Sequence, residues 1–288
     1  VIWKLPHREL SFPRRPLVMG IVNVNDDSFS GDGTLDPDEA LSRAAAAAEA
    51  GADVIDVGAE SARTNREAVA VAEEIQRFEG FLRRWPELVA GLEPRDAEQV
   101  WPPVVSANTW RPEVVETVLP WGVELINDMG GLPDGRNARL CAEHGASLLI
   151  MHTVGEPKVP HLHQQWEDVM GAMEQFFEDK LRMAEAAGLS REQLILDPGI
   201  DFAKQRDDNL AVYAGLGRLQ SWGRPILVPV SRKTVIGEVL DLPNPQDRDA
   251  GTVACVAVAM RRGAHLFRVH QVPATWQAVK VLSAMASP

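Results

Sequence analysis

A chain of 288 residues can bury a sizeable core in one folding unit, since a closed α/β barrel needs only about 250 residues. Its 41 acidic against 29 basic side chains leave a formal charge of −12, which argues against a nucleic-acid or anionic-membrane surface and requires local positive charge wherever an anion binds. The opening VIWKLPHREL has no basic region running into an apolar core, and the sequence holds no apolar run of about 18 residues, so neither export nor membrane insertion is expected. Cys141 and Cys255 belong to no metal or redox spacing and read as small buried hydrophobes, which fits a cytoplasmic location.

In chain order, residues 1–16 read as a lead-in segment, followed by a strand over Leu17 to Val24. LDPDEALSRAAAAAEAG then reads as a helix, with Asp36 as N-cap, Pro37 in the first turn and Glu39 completing a capping-box-like arrangement. GADVIDVG from Gly51 starts a pattern of glycine, short spacer, apolar run and polar residue. It returns in GVELINDMG from Gly122, GASLLIMHT from Gly145, GLSREQLILDPG from Gly188, GRPILVPVSRK from Gly223 and GAHLFRVH from Gly263. A glycine just past a helix caps it in the left-handed conformation, and the apolar runs that follow read as strands buried on both faces. LVAGLEPRDAEQVWPP reads as a helix end and surface loop leading into a further strand, PVVSANT, near Val104. Eight strands alternating with helices imply parallel pairing through crossovers. The simplest closure is an α/β fold of the (β/α)8 TIM-barrel type, one domain over residues 1–288, although an open doubly wound sheet shares the same periodicity.

In a barrel the C-terminal strand ends form the active face. Here they read Asn23, Asp56, Asn108, Asn127, His152 and Asp197, then Ser231 with Lys233 and Arg268 with His270. One Asn or Asp ending a strand is ordinarily a turn former or helix cap; polar residues at every strand end are harder to dismiss. Residues two apart on a strand share a face, so Ser231 and Lys233 are expected to point together, as are Arg268 and His270. In an acidic chain, Lys233, Arg268 and His270 then make a pocket for an anion. Asp56, Asn127 and Asp197 supply acceptors suited to a neutral heterocycle with adjacent N–H groups. HLH, His161 to His163, sits in a Pro-flanked loop without ligand-spaced partners and does not read as a zinc site.

These segments carry a resemblance. MGIVNVNDDSFSGDG, ADVIDVGAESAR, INDMGGL, IMHTVGEPK, LILDPGIDFAK, PVSRKTVIG and RVH, in this order over nearly the whole chain, resemble the dihydropteroate synthases. The resemblance implies a pterin-binding barrel and sulfonamide target. Such a barrel joins 6-hydroxymethyl-7,8-dihydropterin pyrophosphate to p-aminobenzoate with Mg²⁺ as cofactor, giving 7,8-dihydropteroate and pyrophosphate in folate biosynthesis. By that resemblance Asp197 pairs with the pterin's amino and ring N–H edge, Asp56, Asn108 and Asn127 line the pterin pocket, and Lys233 lies beside the ring. Asn23, Arg63, Arg268 and His270 attend the pyrophosphate and its metal, with Asn23 toward the metal. Phe29, Phe202 and Thr234 shape the p-aminobenzoate site. Lys233, Arg268, His270 and Asp197 are the implied catalytic group, the loops after the first two strands are implied to close over them, and a homodimer through the late helices is implied.

The chain departs from that pattern near the chemistry. Asn25-Asp26 and Ala62 to Asn65 replace loop segments that usually carry a proline, and Ala62 also drops a hydroxyl. Asn108 stands where an aspartate is usual, Asp201 where a glycine is usual, and Gln271 where an aspartate is usual. Both loops are therefore expected to be loosely organised before substrates bind. Three other readings stay open at this point: a pterin-binding paralogue with weak or altered activity, a pterin-dependent methyltransferase barrel, and an interaction protein on a barrel scaffold.

Overall fold

A computed structural model describes residues 1–26, 31–61, 67–159 and 164–286. The lead-in segment holds structure that the sequence reading did not resolve. β1 (Ile2–Lys4) and β2 (Glu9–Ser11) pair antiparallel, with Trp3 opposite Leu10. Their inward residues Trp3, Leu5, Leu10 and Phe12 join Leu17, Val54, Leu125 and Ile195 in one apolar cluster that plugs the N-terminal end of the barrel. Trp3 is fully buried, and its Nε1 donates to Ser147 Oγ at 2.8 Å, so the indole keeps its hydrogen bond inside the plug.

Next come β3 (Leu17–Asn23), α1 (Pro37–Glu49), β4 (Val54–Gly58), α2 (Val71–Leu82), α3 (Trp85–Ala90) and β5 (Val104–Asn108). α4 (Pro112–Val118), β6 (Leu125–Asp128), α5 (Arg136–His144), β7 (Ser147–Met151), α6 (Val169–Ala186) and β8 (Leu194–Asp197) follow. The chain finishes with α7 (Arg206–Gly215), β9 (Leu227–Pro229), α8 (Thr234–Leu240), α9 (Asp249–Arg261), β10 (Leu266–Val269) and α10 (Val272–Ala286). β3 to β10 are all parallel, in the order β8-β7-β6-β5-β4-β3-β10-β9. A parallel bridge between Leu196 and Ile226, with Leu196 N donating to Pro225 O at 3.0 Å, joins β8 to the start of β9. That bridge all but closes the barrel and removes the open-sheet alternative.

Local sequence explains the elements. The strands are rich in Val, Ile and Leu because their inner faces fill the barrel and their outer faces meet the helices. Gly51, Gly122, Gly145, Gly188, Gly223 and Gly263 all have positive φ, between 61° and 101°, the left-handed turn expected of each repeated glycine. Asp36 caps α1 through Asp38 N at 2.9 Å, as its position suggests. Glu39 does not complete a capping box: its carboxylate accepts from the Thr34 hydroxyl at 2.6 Å and pairs with Arg43 one helical turn on. The expectation that Ser231 and Lys233 share a strand face also fails. β9 ends at Pro229, Arg232 turns left-handed at φ 56°, and Lys233 flanks the start of α8.

Candidate active site

The C-terminal mouth of the barrel opens into a cavity of about 540 Å³ that takes side chains from almost every strand end. At its floor is Asp56, in the middle of β4 and fully buried. It is paired in register with Ser106 on β5, whose hydroxyl donates to Asp56 Oδ1 at 2.6 Å. Asn127 Nδ2 on β6 reaches both carboxylate oxygens at 3.3 and 3.2 Å. Arg268 on β10 donates from Nε to Oδ2 at 2.7 Å. Asp56 is therefore a hub that orients an amide and a guanidinium toward the cavity.

Asp197 ends β8 and is 3 % exposed; Gly199 N donates to its Oδ1 at 2.7 Å, a turn that the left-handed Gly199 makes possible. Burial pushes its carboxyl up to about 6, against the opposing pull of the Gly199 amide and of Lys233, Lys204 and Arg268. The amide oxygens of Asn108 and Asn127 are buried and have no hydrogen-bond partner among the described residues. Both residues line the cavity together with Asp197. A ligand edge rich in N–H groups is the natural partner for acceptors placed this way.

Lys233 donates from Nζ to Ile200 O at 2.8 Å and stands 5.0 Å over the ring of Phe202. Burial lowers its pKa, with Asp201 and Asp197 opposing. Behind it Lys204, 7 % exposed, donates to the carbonyls of Gly199 at 2.9 Å and Phe202 at 3.0 Å, and more weakly to His152 O at 3.4 Å. Burial brings its pKa down to about 7, with Asp197 pulling the other way. His152 itself faces Trp166 and Phe176 rather than the chemistry, and burial depresses its pKa.

At the other side of the mouth, Ser231 Oγ and His270 Nδ1 are 2.7 Å apart, and His270 Nε2 lies 3.7 Å from Asp32 Oδ2. Burial lowers the imidazole to about 4 despite Asp32, so His270 is neutral at pH 7. Asn23 Nδ2 donates to Asp32 Oδ1 at 3.1 Å, which ties the end of β3 to the loop after it. The expected cationic pocket is thus present but less positive than the sequence suggests, because Arg268 arrives paired with Asp56 and His270 arrives uncharged.

Asn23, Asp56, Asn108, Asn127, Asp197, Phe202, Lys233, Thr234, Arg268 and His270 are brought together by the fold. Phe29 and Arg63 lie outside the described residues, as do His161 to His163 and Ala62 to Asn65. At the start of the first loop Asn25 is buried, and its Nδ2 donates to Gly58 O at 3.3 Å on the neighbouring strand; residues 27–30 of that loop lie outside the described residues.

Sequence reading missed an ion cluster on the rim. Glu60 is buried; its carboxylate takes Lys158 Nζ at 2.9 Å, Arg111 Nη1 at 2.5 Å and the Val69 amide at 2.9 Å, while Arg111 also pairs with buried Glu74. Burial pushes the Glu60 carboxyl up, but these donors together hold it below its ordinary value. Glu60 and Lys158 both belong to the motif segments ADVIDVGAESAR and IMHTVGEPK but had no role there, whereas Arg111 lies outside every such segment. Lys204 in LILDPGIDFAK and Ser106 in PVVSANT likewise had no role until their contacts were seen.

Among the described residues no group of three or more His, Cys, Asp or Glu side chains could hold a metal ion, and no helix is long and apolar enough to cross a membrane. Asn23 and Asp32 nevertheless bring an amide and a carboxylate together at the end of β3, joined through the Asn23 amide nitrogen. That donor set fits Mg²⁺, which is commonly held by one or two protein oxygens with water and substrate phosphate completing the shell.

A parallel barrel whose mouth combines buried acceptors with basic side chains defines an enzyme built to hold a heterocycle bearing an anionic group. Comparison with known proteins narrows this class. The profile of the family described as pterin binding enzyme matches residues 19–270. The dihydropteroate synthase of Escherichia coli (strain K12) is 35% identical over 277 residues, 94% of this chain and 92% of that protein. A Yersinia pestis dihydropteroate synthase solved in complex with a sulfonamide drug superposes with TM-score 0.88 at 31% identity, covering 99% of this chain and 98% of the other. The Thermus thermophilus dihydropteroate synthase solved with 6HMPPP gives TM-score 0.81 at 34% identity, covering 99% of this chain and 100% of the other. The chain belongs to the pterin-binding enzymes and, within them, to the dihydropteroate synthases, transferases of folate biosynthesis.

Proposed function

We propose that this cleft condenses 6-hydroxymethyl-7,8-dihydropterin pyrophosphate with p-aminobenzoate, and that its residues divide the work as follows. Asp197 accepts from the amino and ring N–H groups of the pterin, and the unsatisfied oxygens of Asn108 and Asn127 take further N–H groups of the same edge. Lys233 lies beside the ring, positioned by Ile200 O and Phe202. Arg268 and His270 face the pyrophosphate, with Asn23 near its metal. Phe202 and Thr234 border the arylamine, a task in which Phe29 would join them, with Arg63 assisting at the pyrophosphate. The observation that carries this reading is the ring of buried acceptors at Asp197, Asn108 and Asn127 beside a lysine, because a ligand edge rich in N–H groups matches it.

In the reaction the arylamine nitrogen attacks the pterin methylene carbon as the bond from that carbon to the pyrophosphate oxygen breaks; the amine then sheds its proton. Positive charge grows on a carbon conjugated with the dihydropterin, and negative charge grows on the leaving oxygens. The side chains therefore position and neutralise, and no nucleophilic side chain is required. Each well-placed donor at the leaving group can contribute about 3 kcal/mol of transition-state stabilisation. Mg²⁺, where Asn23 and Asp32 would hold it, supplies additional neutralisation of pyrophosphate charge. We further place the enzyme in the cytoplasm as a homodimer. The late helices α9 and α10 support the dimer reading, since they leave Val258, Val281 and Met285 exposed.

The test is pyrophosphate release by the purified chain supplied with the pterin pyrophosphate, with and without p-aminobenzoate and Mg²⁺. Release that needs p-aminobenzoate and yields dihydropteroate supports the reading. Pterin binding without turnover would identify a paralogue that has kept the pocket and lost the reaction.

A further inference from the structure

The loop after β8 carries a carboxylate into the arylamine end of the cleft. Asp201 sits in the left-handed region, φ 69°, between Ile200, whose carbonyl holds Lys233, and Phe202, whose ring underlies Lys233. Its backbone N donates to Asn209 Oδ1 at 2.8 Å, and Asn209 Nδ2 returns a bond to Asp201 Oδ1 at 3.2 Å. Its two carboxylate oxygens also accept from Thr234 N at 2.5 Å and Val235 N at 3.3 Å. Held from α7 and α8 at once, the carboxylate has a fixed position. Asp201, Phe202, Lys233, Thr234 and Glu238 all line the cavity, so its Thr234 end carries two acidic side chains beside Lys233, with Lys204 turned to the Gly199 and Phe202 carbonyls behind it.

We propose that Asp201 is a specificity-determining residue for the arylamine. Its carboxylate already occupies the amides beside Thr234, so an acceptor with its own carboxylate opposite the amine binds against a like charge, whereas a neutral acceptor does not. The proposal rests on the synthase reading, which places the arylamine between Phe202 and Thr234. The effect has a clear physical sign. A second carboxylate brought to the Thr234 end is repelled by the one already held there, and the lysine alongside is turned to Ile200 O.

The experiment compares p-aminobenzoate with p-aminobenzamide in the wild type, Asp201→Asn and Asp201→Gly. Asparagine tolerates the left-handed backbone and removes the charge, but its NH2 faces one of the N–H groups that the carboxylate accepts from, so Asp201→Gly, which leaves no side chain there, is the companion variant. The kcat/KM ratio of benzoate to benzamide should rise roughly tenfold in Asp201→Asn, the scale of a like-charge contact in a partly screened site. The gain should fall on the KM for p-aminobenzoate, and Asp201→Gly should move the ratio the same way. A ratio within about twofold of wild type in Asp201→Asn, or equal shifts for both acceptors, overturns the proposal, that margin being close to the usual scatter between independent variants. Titration of the two arylamines onto protein loaded with 6-hydroxymethylpterin and pyrophosphate reads the same ratio without turnover. A shifted binding ratio in a protein that releases no pyrophosphate would sink the synthase reading and leave the role of Asp201 standing.

Discussion

Arg268 and Asp56 meet across the barrel mouth: the guanidinium Nε on β10 lies 2.7 Å from the carboxylate on β4, with β3 between the two strands. The partners are unequally buried, since the Asp56 side chain is 0% exposed and the Arg268 side chain 18%. Arg268→Met strands a buried carboxylate and should cost about 3–5 kcal/mol. Asp56→Asn leaves a guanidinium that can reach water and should cost about 1–2 kcal/mol. Urea unfolding of the two variants measures this order, and equal or reversed losses would contradict it.

The same pair separates the roles of the two basic groups. His270 touches Ser231 and Asp32 but not the Asp56 hub, so His270→Ala should weaken pyrophosphate roughly tenfold and leave 6-hydroxymethylpterin nearly unchanged. Arg268→Ala should weaken both ligands, because it also releases the hub that orients Asn127. Calorimetric titration with each ligand distinguishes the two patterns.

Binding of the pterin should depend on pH through Asp197. Its folded pKa is raised from 3.8 to about 6, so its contribution to stability in the unliganded protein is full below about 4 and is lost as pH rises through 6. Recognition of two N–H groups runs the opposite way, because it needs the ionised form. Affinity for 6-hydroxymethylpterin should be flat above pH 7 and fall toward about tenfold per unit below pH 6. Asp197→Asn should abolish that slope, and a slope that survives in the variant would assign it to another group.

The rim cluster gives a separate prediction. Glu60→Gln removes the charge that Arg111 and Lys158 share; Arg111 keeps its pair with buried Glu74, while Lys158 keeps only the Glu67 carbonyl and a neutral amide. Stability should fall by about 2–3 kcal/mol, and amide exchange should speed up most at Val69 and in the segment around Lys158. Unchanged protection at those amides would mean that the cluster does not hold the rim together.

Fold and site were legible in the sequence to different degrees. The glycine-strand repeat announced the barrel because a left-handed cap followed by a doubly buried strand is a local pattern, and all six glycines have the backbone it requires. Asn127 and Asp197 were legible because a polar residue at the end of an apolar strand has few reasons to be there; Asp56 stood out for the same polarity, but β4 runs on to Gly58 and places it mid-strand. The plug formed by Trp3 and Leu10 was not, since three-residue strands are too short for alternation to register. Charge state was the other blind spot: whether Arg268 is free or paired depends on a partner 212 positions away. For the same reason the fixed position of Asp201 and the clasp on Glu60 emerge only once the loops are laid side by side.

In the proposed function, pterin recognition depends above all on Asp197 as the anchor of the ligand's N–H edge. Titration of 6-hydroxymethylpterin into the wild type and Asp197→Asn at pH 7.5 tests this, because the amide presents a donor where the ligand also presents donors. The wild type should bind tightly and the variant should lose on the order of 2–4 kcal/mol, with its unfolding midpoint maintained or raised, since the uncharged side chain relieves a buried carboxylate. Equal affinity in the two proteins would overturn the assignment of this cleft to the pterin.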